Sequence, residues 1–350
     1  MSYKNLNGSS VVFEQDGKLS FDEAAHKYTL DTVGEMRPVS SVVGMFFREF
    51  DSIGVSLKKC NGNELEAEKL RESWEAKGSI ASQAGTFLHK QIEDYLNGET
   101  ISELLCDVRY KGKYVECCQK VDISPEWNFF KSFEREVPFT PFRTEWRVYD
   151  AETRMAGTLD FVCACDDGTY EIFDWKRSNK IDPQEVNRWA SGMNGLEHLT
   201  DTSYSHYCLQ QNLYRYMLEK NYGIKVKRMH LVVLHPDYSN YRLVPIPRME
   251  KEIDIIVGAL HEAPEIELTQ YGKAVKDVIE TVDKRFGVTV DRYVVMPNHV
   301  HIIINFQRFT FFIWKTHDLF FYVYWQNTGY FIYLLFAFFS WNILKISFYI

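Results

Sequence analysis

The sequence contains few cysteines and no CxxC pair. Seven cysteines are spread over 350 residues, and no two of them stand in a CxxC arrangement. This spacing argues against a small disulfide-stapled fold and against the common zinc and redox motifs. The first ten residues, MSYKNLNGSS, also lack the apolar stretch of a secretory signal peptide. We therefore expect a cytoplasmic protein.

An excess of positive charge is missing as well. The formal net charge is -8, which argues against wholesale attraction to a polyanion. It does not exclude a nucleic-acid enzyme, because such an enzyme needs only a local basic surface around its cleft. With 45% hydrophobic and 25% charged residues, the composition is that of a folded chain of one large or two ordinary domains.

Aromatic residues, 15% of the chain, are concentrated in a tail at residues 306–350, where Asp318 is the only acid. A membrane helix needs roughly 20 predominantly apolar residues. The most apolar stretch, Gly329 to Leu344, is shorter than that. Such a composition also resembles the translation of an AT-rich noncoding or frameshifted segment. Both a membrane-associated tail and a frameshift-derived tail remain open.

Residues 1–258 show the patterns of an α/β domain. Short alternating runs (VVFEQ, GKLSF, KYTLD) predict hairpins near the start. Apolar periodicity predicts four helices: one capped by Ser40 or Ser41 and running through Phe47, one over 64–97 with an interruption near Gly78, one from Pro125 to Glu136, and one from His206 to Asn221. Three strands, FRTEWRVYD, MAGTLDFVCAC and TYEIFDWKR, predict a meander with an Asp-Asp-Gly turn. A further strand pair, KRMHLVVLHP and YRLVPIP, follows.

This meander carries the candidate chemistry. Because strand side chains alternate, Asp174 and Lys176 share one face, and Asp160 lies on the preceding strand, where Gly157 permits a close approach or a bend. If the strands pair across the turn, both carboxylates can meet one Mg²⁺ or Mn²⁺ ion, with the Trp175 carbonyl as another ligand. Lys176 would then orient a water or stabilise developing charge, as phosphodiester hydrolysis requires. Taken alone, DWK also fits a simple surface ion pair.

Four blocks in succession, GTFLHKQIEDYL, GTLDF, FDWKRS and QQNLYRY, resemble the RecB-like exonucleases of the PD-(D/E)XK superfamily. The resemblance extends over about residues 1–258. It implies a restriction-endonuclease-like core with a mixed central sheet flanked by helices. It also implies a Mg²⁺- or Mn²⁺-dependent deoxyribonuclease, expected to be an exonuclease, that acts on DNA in phage or bacterial DNA processing, recombination or repair.

The resemblance assigns roles to further residues. It makes His89 an additional metal ligand and gives Glu145 a possible place at the metal. Gln210 and Tyr214 match the family's QxxxY motif and would line the catalytic site, although Gln211 leaves the register ambiguous. Some relatives hold an iron-sulfur cluster through cysteines downstream of the core, but no cysteine follows Cys208. We therefore expect no iron-sulfur cluster.

Four polar residues near these blocks could contact the DNA backbone, although for each of them a solvated surface position is the simpler interpretation. Phosphate contacts position nucleic acid without reading its sequence, and side chains that donate hydrogen bonds make them. The candidates are Arg177, Ser178, Lys180 and Arg215.

Residues 262–305 resemble a different family. YVVMPNHVHIII is similar to the HUH block of the REP-associated tyrosine transposases. His299 and His301 would form a second possible metal pair on one strand. No segment of the tail resembles the family's tyrosine helix, which carries the nucleophile. We expect a small α+β fragment, truncated and inactive; the alternative function for the whole chain is an HUH-type transposase or a DNA-binding protein of a mobile element.

Overall fold

A computed structural model describes residues 13–23, 25 and 27–262, together with the backbone of four strands at 288–295, 299–306, 333–340 and 343–349. The chain divides into two compact units, Met1–Ala263 and Pro264–Ile350. The elements of the first unit are, in order, β1 (Leu19–Asp22), β2 (Lys27–Leu30), β3 (Gly34–Pro38), α1 (Val39–Gly44), α2 (Ser52–Lys59), α3 (Glu64–Leu96), β4 (Leu105–Lys111), β5 (Glu116–Asp122), α4 (Ser124–Glu136), β6 (Thr140–Asp150), β7 (Met155–Ala164), β8 (Tyr170–Lys176), α5 (Ser203–Asn221), β9 (Val226–Val233), β10 (Arg242–Ile246) and α6 (Glu250–Glu262).

The central sheet of the first unit is mixed. Its strands follow the order β1-β2-β3-β7-β8-β9-β10, with β6 paired to β7. The pairs β3–β7 and β8–β9 are parallel, and the other pairs are antiparallel. The predicted meander β6–β7–β8 is confirmed, as is the broader prediction of a mixed sheet flanked by helices.

Helices cover the sheet on two faces, and each face has its own core. On one face α3 and α4 contribute Leu88, Ile92, Phe130 and Phe133, which pack on strand residues such as Trp175. The other face is covered by α1, α5 and α6, which bury Val42, Leu209, Leu213 and Ile256. Strand β8 lies between the two cores, so alternate residues of β8 face different helices.

Three local predictions were wrong. Helix α3 runs without interruption through Gly78, which is exposed, because its buried face continues from Ala76 to Ala84 across that position. Helix α1 begins after Pro38 and ends at Gly44, and neither predicted serine caps it. The described end of the VVFEQ run forms a turn instead of a strand.

The hairpin β4–β5 was not predicted. It forms a separate two-stranded sheet with a register from Leu105↔Asp122 to Lys111↔Glu116. Its strands are mostly polar, and a weak apolar alternation of this kind gives little strand signal. Cys106 and Val108 are nevertheless buried.

The second unit contains a four-stranded antiparallel sheet. Its strands are β11 (Val288–Val295), β12 (His299–Phe306), β13 (Tyr333–Ser340) and β14 (Ile343–Tyr349), in the order β11-β12-β14-β13. Strand β12 belongs to the predicted transposase-like fragment, and β13 and β14 belong to the aromatic tail. Residues 263–287, which begin the predicted α+β fragment, lie outside the described residues. Among the helices that the structure describes, none is both long and apolar enough to cross a bilayer.

Candidate metal centre

Strands β7 and β8 bring the two predicted aspartates together. The strands pair from Ala164↔Tyr170 to Phe161↔Phe173, and Asp160 and Asp174 are the next residues beyond that last pair. Asp160 Oδ2 accepts a hydrogen bond from the Trp175 backbone N–H at 2.9 Å. This contact fixes the Asp160 carboxylate beside β8 at the point where the two strands separate.

Gly157 has the role in close packing that the sequence predicted. A Cβ atom at this position would lie 2.5 Å from Cε1 of Tyr214, because the Tyr214 ring packs directly on the glycine backbone. Tyr214 is buried in the core between α5 and the sheet. The glycine thus allows α5 to approach β7 next to the aspartates.

His89 of α3 and Glu145 of β6 join Asp160 in one cluster. One ligand atom from each of the three lies within 4.8 Å of the other two, and His89 Nδ1 is 3.5 Å from Asp160 Oδ2. Glu145 lies between the pairs Thr144↔Phe161 and Trp146↔Leu159, and is therefore opposite Asp160. Three residues distant in sequence thus offer one imidazole and two carboxylates.

Glu145 has an unusual backbone conformation. Its φ is 44°, although it lies inside an eleven-residue strand. Left-handed φ values in residues other than glycine cost of the order of 1–3 kcal/mol and persist only where the surrounding structure enforces them. Here that conformation accompanies a side chain that faces two other potential ligands.

Asp174 and Lys176 lie beside this cluster on β8. Lys176 Nζ is 2.5 Å from Asp174 Oδ2 and stands 4.8 Å above the ring centre of Tyr207. The intervening Trp175 faces the other way and stacks on Phe161. Its backbone, however, remains at the cluster through the N–H bond to Asp160.

The three acids of the site have raised pKa values, and burial is the main cause for each. Burial raises the pKa of Asp174 to about 6, and the Asp160 charge adds to that rise although Lys176 opposes it. Burial, Asp160 and Glu93 together raise the pKa of Glu145 well above its ordinary value. Burial also raises the pKa of Asp160, against the influence of Lys176.

The two basic groups respond in opposite directions. Burial, together with the nearby ammonium of Lys176, lowers the pKa of His89 to about 4, so the imidazole is neutral near pH 7 and able to bind a metal. Burial acts to lower the pKa of Lys176 as well, but the charges of Asp174 and Asp160 outweigh it and raise the value. Lys176 is thus a protonated cation beside the carboxylates.

The structure brings the side chain of Gln211 to Asp174. Gln211 Nε2 donates to Asp174 Oδ1 at 2.8 Å, and the side chain is fully buried. Gln210 Nε2 instead donates to the hydroxyl of Tyr214 at 3.1 Å. Sequence reasoning weighed Gln211 only as an alternative register and missed Tyr207. Both lie on α5 four residues apart, so helical spacing from Gln211 would have indicated Tyr207.

Two of the four candidate phosphate contacts, Arg177 and Arg215, form ion pairs within the protein. Arg177 Nε donates to Glu126 Oε1 at 2.7 Å, and Glu126 is fully buried. Arg215 is 5% exposed and forms ion pairs with Glu219 and Glu250. Both guanidinium groups are therefore engaged within the protein. Lys180 lines a surface pocket that also includes Asp182, while Ser178 accepts a hydrogen bond from the Lys180 N–H.

The second predicted metal pair belongs to the other unit. His299 and His301 lie on β12, opposite Tyr349 and Ser347 of β14. Their side chains lie outside the described part of the chain, so the metal pair stays a prediction from sequence.

Comparisons with known proteins add little. No protein-family model matches the chain, and no curated protein does. Among the solved structures that match, that of the protein SSO0001 aligns with 13% identity and a TM-score of 0.27, over 64% of this chain and 74% of its own. A similarity at this level carries no argument about fold family or function.

Proposed function

We propose that the protein is a divalent-metal-dependent deoxyribonuclease, and that it acts as an exonuclease. One observation carries the proposal: His89, Glu145 and Asp160 converge from a helix and two strands beside the Asp174–Lys176 pair. A surface ion pair, the alternative for DWK alone, does not account for this convergence, because Asp174 is only 3% exposed.

The donor set fits a divalent cation. Mg²⁺ and Mn²⁺ bind carboxylate oxygens, and Mn²⁺ also accepts an imidazole. The pKa of each of the three carboxyl groups is raised by burial, so a compensating positive charge would favour their ionised forms. Lys176 supplies only one such charge. His89, Glu145 and Asp160 would hold the ion, and the Asp174 carboxylate beside them would be a further ligand.

The cation and Lys176 would have different roles in phosphodiester hydrolysis. A bound cation would polarise a phosphoryl oxygen and lower the pKa of a coordinated water. Lys176 would hold its proton and place positive charge next to the phosphate, where it stabilises the developing negative charge. The Trp175 N–H keeps Asp160 in place, and the Tyr207 ring supports the Lys176 ammonium.

The test is degradation of end-labelled linear DNA and of closed circular DNA by the full-length protein, with Mg²⁺ or Mn²⁺. Loss of linear DNA alone is expected, because an exonuclease needs an end. Lys176→Met should reduce the rate by about 10²- to 10³-fold, since removal of one transition-state donor typically costs that much. Asp174→Asn should also reduce the rate, because it removes a carboxylate from the metal centre.

Two exposed residues supply matched controls. Asp167 and Lys227 form an ion pair at the protein surface, with an Nζ to Oδ2 distance of 2.8 Å. Asp167→Asn and Lys227→Met repeat the same chemical changes away from the cluster and should cleave as the unmodified protein does. Absence of cleavage by folded protein with either metal, or equal activity in Lys176→Met, would refute the proposed function.

A further inference from the structure

Gln211 is a buried amide whose hydrogen bonds are only half made. It is fully buried on α5, where burying an amide is unfavourable unless its polar atoms find partners. Its Nε2 donates to Asp174 Oδ1, but its Oε1 has no hydrogen-bond partner among the described residues. Packing alone would be served better by an apolar side chain of the same size.

The next residue shows what a purely structural amide looks like in this helix. Asn212 is also fully buried, and both of its polar atoms are satisfied. Its Nδ2 donates to the carbonyls of Cys208 and Pro247, and its Oδ1 accepts from the Met249 N–H. Asn212 therefore ties α5 to the segment that precedes α6. Gln211 makes no such tie and reaches only Asp174.

The contact with Gln211 controls how the Asp174 carboxylate is turned. An ionised carboxylate only accepts hydrogen bonds, so the amide N–H holds Oδ1 toward α5. Oδ2 is then the oxygen that faces the Lys176 ammonium, 2.5 Å away. Without the amide, the carboxylate would keep its contact with Lys176 but lose the second contact that fixes its χ2 angle, which is a soft torsion.

We propose that Gln211 is the positioning residue of the metal centre: it orients Asp174 so that Oδ2 is presented to the bound cation and to Lys176. This rests on the proposed function for the identity of the ligand, and it assigns to Gln211 a role that acts through Asp174 alone. Partners that orient metal-binding side chains typically change metal affinity by about 10- to 100-fold when they are removed.

The test measures Mn²⁺ binding to the whole chain without DNA. The electron paramagnetic resonance signal of the free ion decreases as Mn²⁺ binds, and this decrease gives the affinity. Gln211→Met keeps the length of the side chain but has no donor, and should weaken binding by about 10- to 100-fold. Asp174→Asn should weaken it similarly. In the Asp174→Asn background, Gln211→Met should have an additional effect of less than about threefold, because residues that act through one group are not additive.

Asn212→Leu is the matched control. It should lower the melting temperature and leave the Mn²⁺ affinity of the folded protein unchanged. If Gln211→Met does not fold, Gln211→Asn replaces it, because its amide is one methylene too short for the contact and should show the same weakening.

Three results separate the two proposals. Unchanged Mn²⁺ affinity in a folded Gln211 variant, or full additivity with Asp174→Asn, overturns the role of Gln211 and leaves the nuclease proposal standing. Mn²⁺ binding that follows the expected pattern without any DNA cleavage supports Gln211 and overturns the nuclease. No Mn²⁺ binding by the unmodified protein overturns both.

Discussion

Asp150 at the end of β6 and Asp174 on β8 are both almost completely buried, with 2% and 3% exposure, yet their environments differ. Asp150 accepts hydrogen bonds from Thr153, Lys220 and Asn221. Burial alone would raise its pKa, but these donors outweigh burial and lower it. The pKa of Asp174 is raised to about 6, because burial and the Asp160 charge exceed what Lys176 provides.

Asp16 repeats the first pattern. Both of its oxygens accept from the Arg143 guanidinium at 2.7 Å, and the pKa of the carboxyl is lowered in spite of burial. Carboxylates that support the fold thus have enough donors to be stable as anions. The carboxylates of the candidate metal centre do not, and an additional cation would supply the missing charge. The difference separates structural acids from site acids without reference to any relative.

The largest expected effect comes from removing the carboxylate charge at Asp150 and, in a separate variant, at Asp174. Asp150→Asn should lower the free energy of unfolding by about 3 kcal/mol, because hydrogen bonds to a charged group are worth roughly 1.5–3 kcal/mol each. In addition, the NH2 group of the asparagine would face side chains that themselves donate hydrogen bonds. Asp174→Asn should be neutral or stabilising in EDTA, since it removes a buried charge next to Asp160 and leaves Lys176 near that acid. Urea unfolding of both variants measures the two values.

Equal destabilisation by the two substitutions would contradict the comparison, because it would mean that Asp174 is as well stabilised as Asp150. Asp167→Asn, at an exposed ion pair, serves as the control and should change stability little.

The stability of the fold should depend on pH in different ways through Asp174 and through Asp150. Asp174 has a folded pKa of about 6, above its ordinary value of 3.8, so the cost of its ionisation to the metal-free fold develops as the pH rises from about 3.8 to about 6 and is fully present above that. Asp150 has a lowered pKa, and its contribution is lost only as the pH falls below about 3.8. Between about pH 7 and about pH 5 the metal-free protein should therefore gain about 1 kcal/mol relative to Asp174→Asn.

Urea midpoints in EDTA at the two pH values check this difference. With saturating Mn²⁺ the same change of pH should instead lower stability, because the ion binds the deprotonated ligands. A gain of equal size in Asp174→Asn and in the unmodified protein would assign the pH dependence to some other group.

Local patterns predicted the centre of the site. The period of two in β8 places Asp174 and Lys176 on one face, and the Asp-Asp-Gly turn brings Asp160 to them, so neither relation depends on the rest of the fold. The positions of His89 and Glu145 came from a resemblance and not from spacing, since they lie on elements whose packing the sequence alone does not determine. The structure brings both to Asp160.

The choice between Gln210 and Gln211 needed the tertiary structure. Neighbouring residues on a helix point about 100° apart, and the rotation of α5 over the sheet decides which of the two meets Asp174. That rotation is fixed by packing, including the close contact of Tyr214 with Gly157. The continuity of α3 through Gly78 has a similar origin, because burial of the helix face offsets the roughly 1 kcal/mol that a helical glycine costs.

The smallest expected effect concerns the backbone of Glu145. It tests whether the metal centre differs from the structural acids in backbone conformation as well as in charge. Glu145→Gln removes the charge and keeps the left-handed φ of 44°, whereas Glu145→Gly removes both the charge and the conformational cost. The relief of about 1–2 kcal/mol for a left-handed residue is partly offset by the 0.5–1 kcal/mol entropy cost of a strand glycine, so Glu145→Gly should be more stable than Glu145→Gln by roughly 0.5 kcal/mol. Urea unfolding in EDTA measures the difference. A glycine variant less stable than the glutamine variant would show that β6 carries no backbone strain at this position. In that case only the buried charge of Glu145 would lower the stability of the fold.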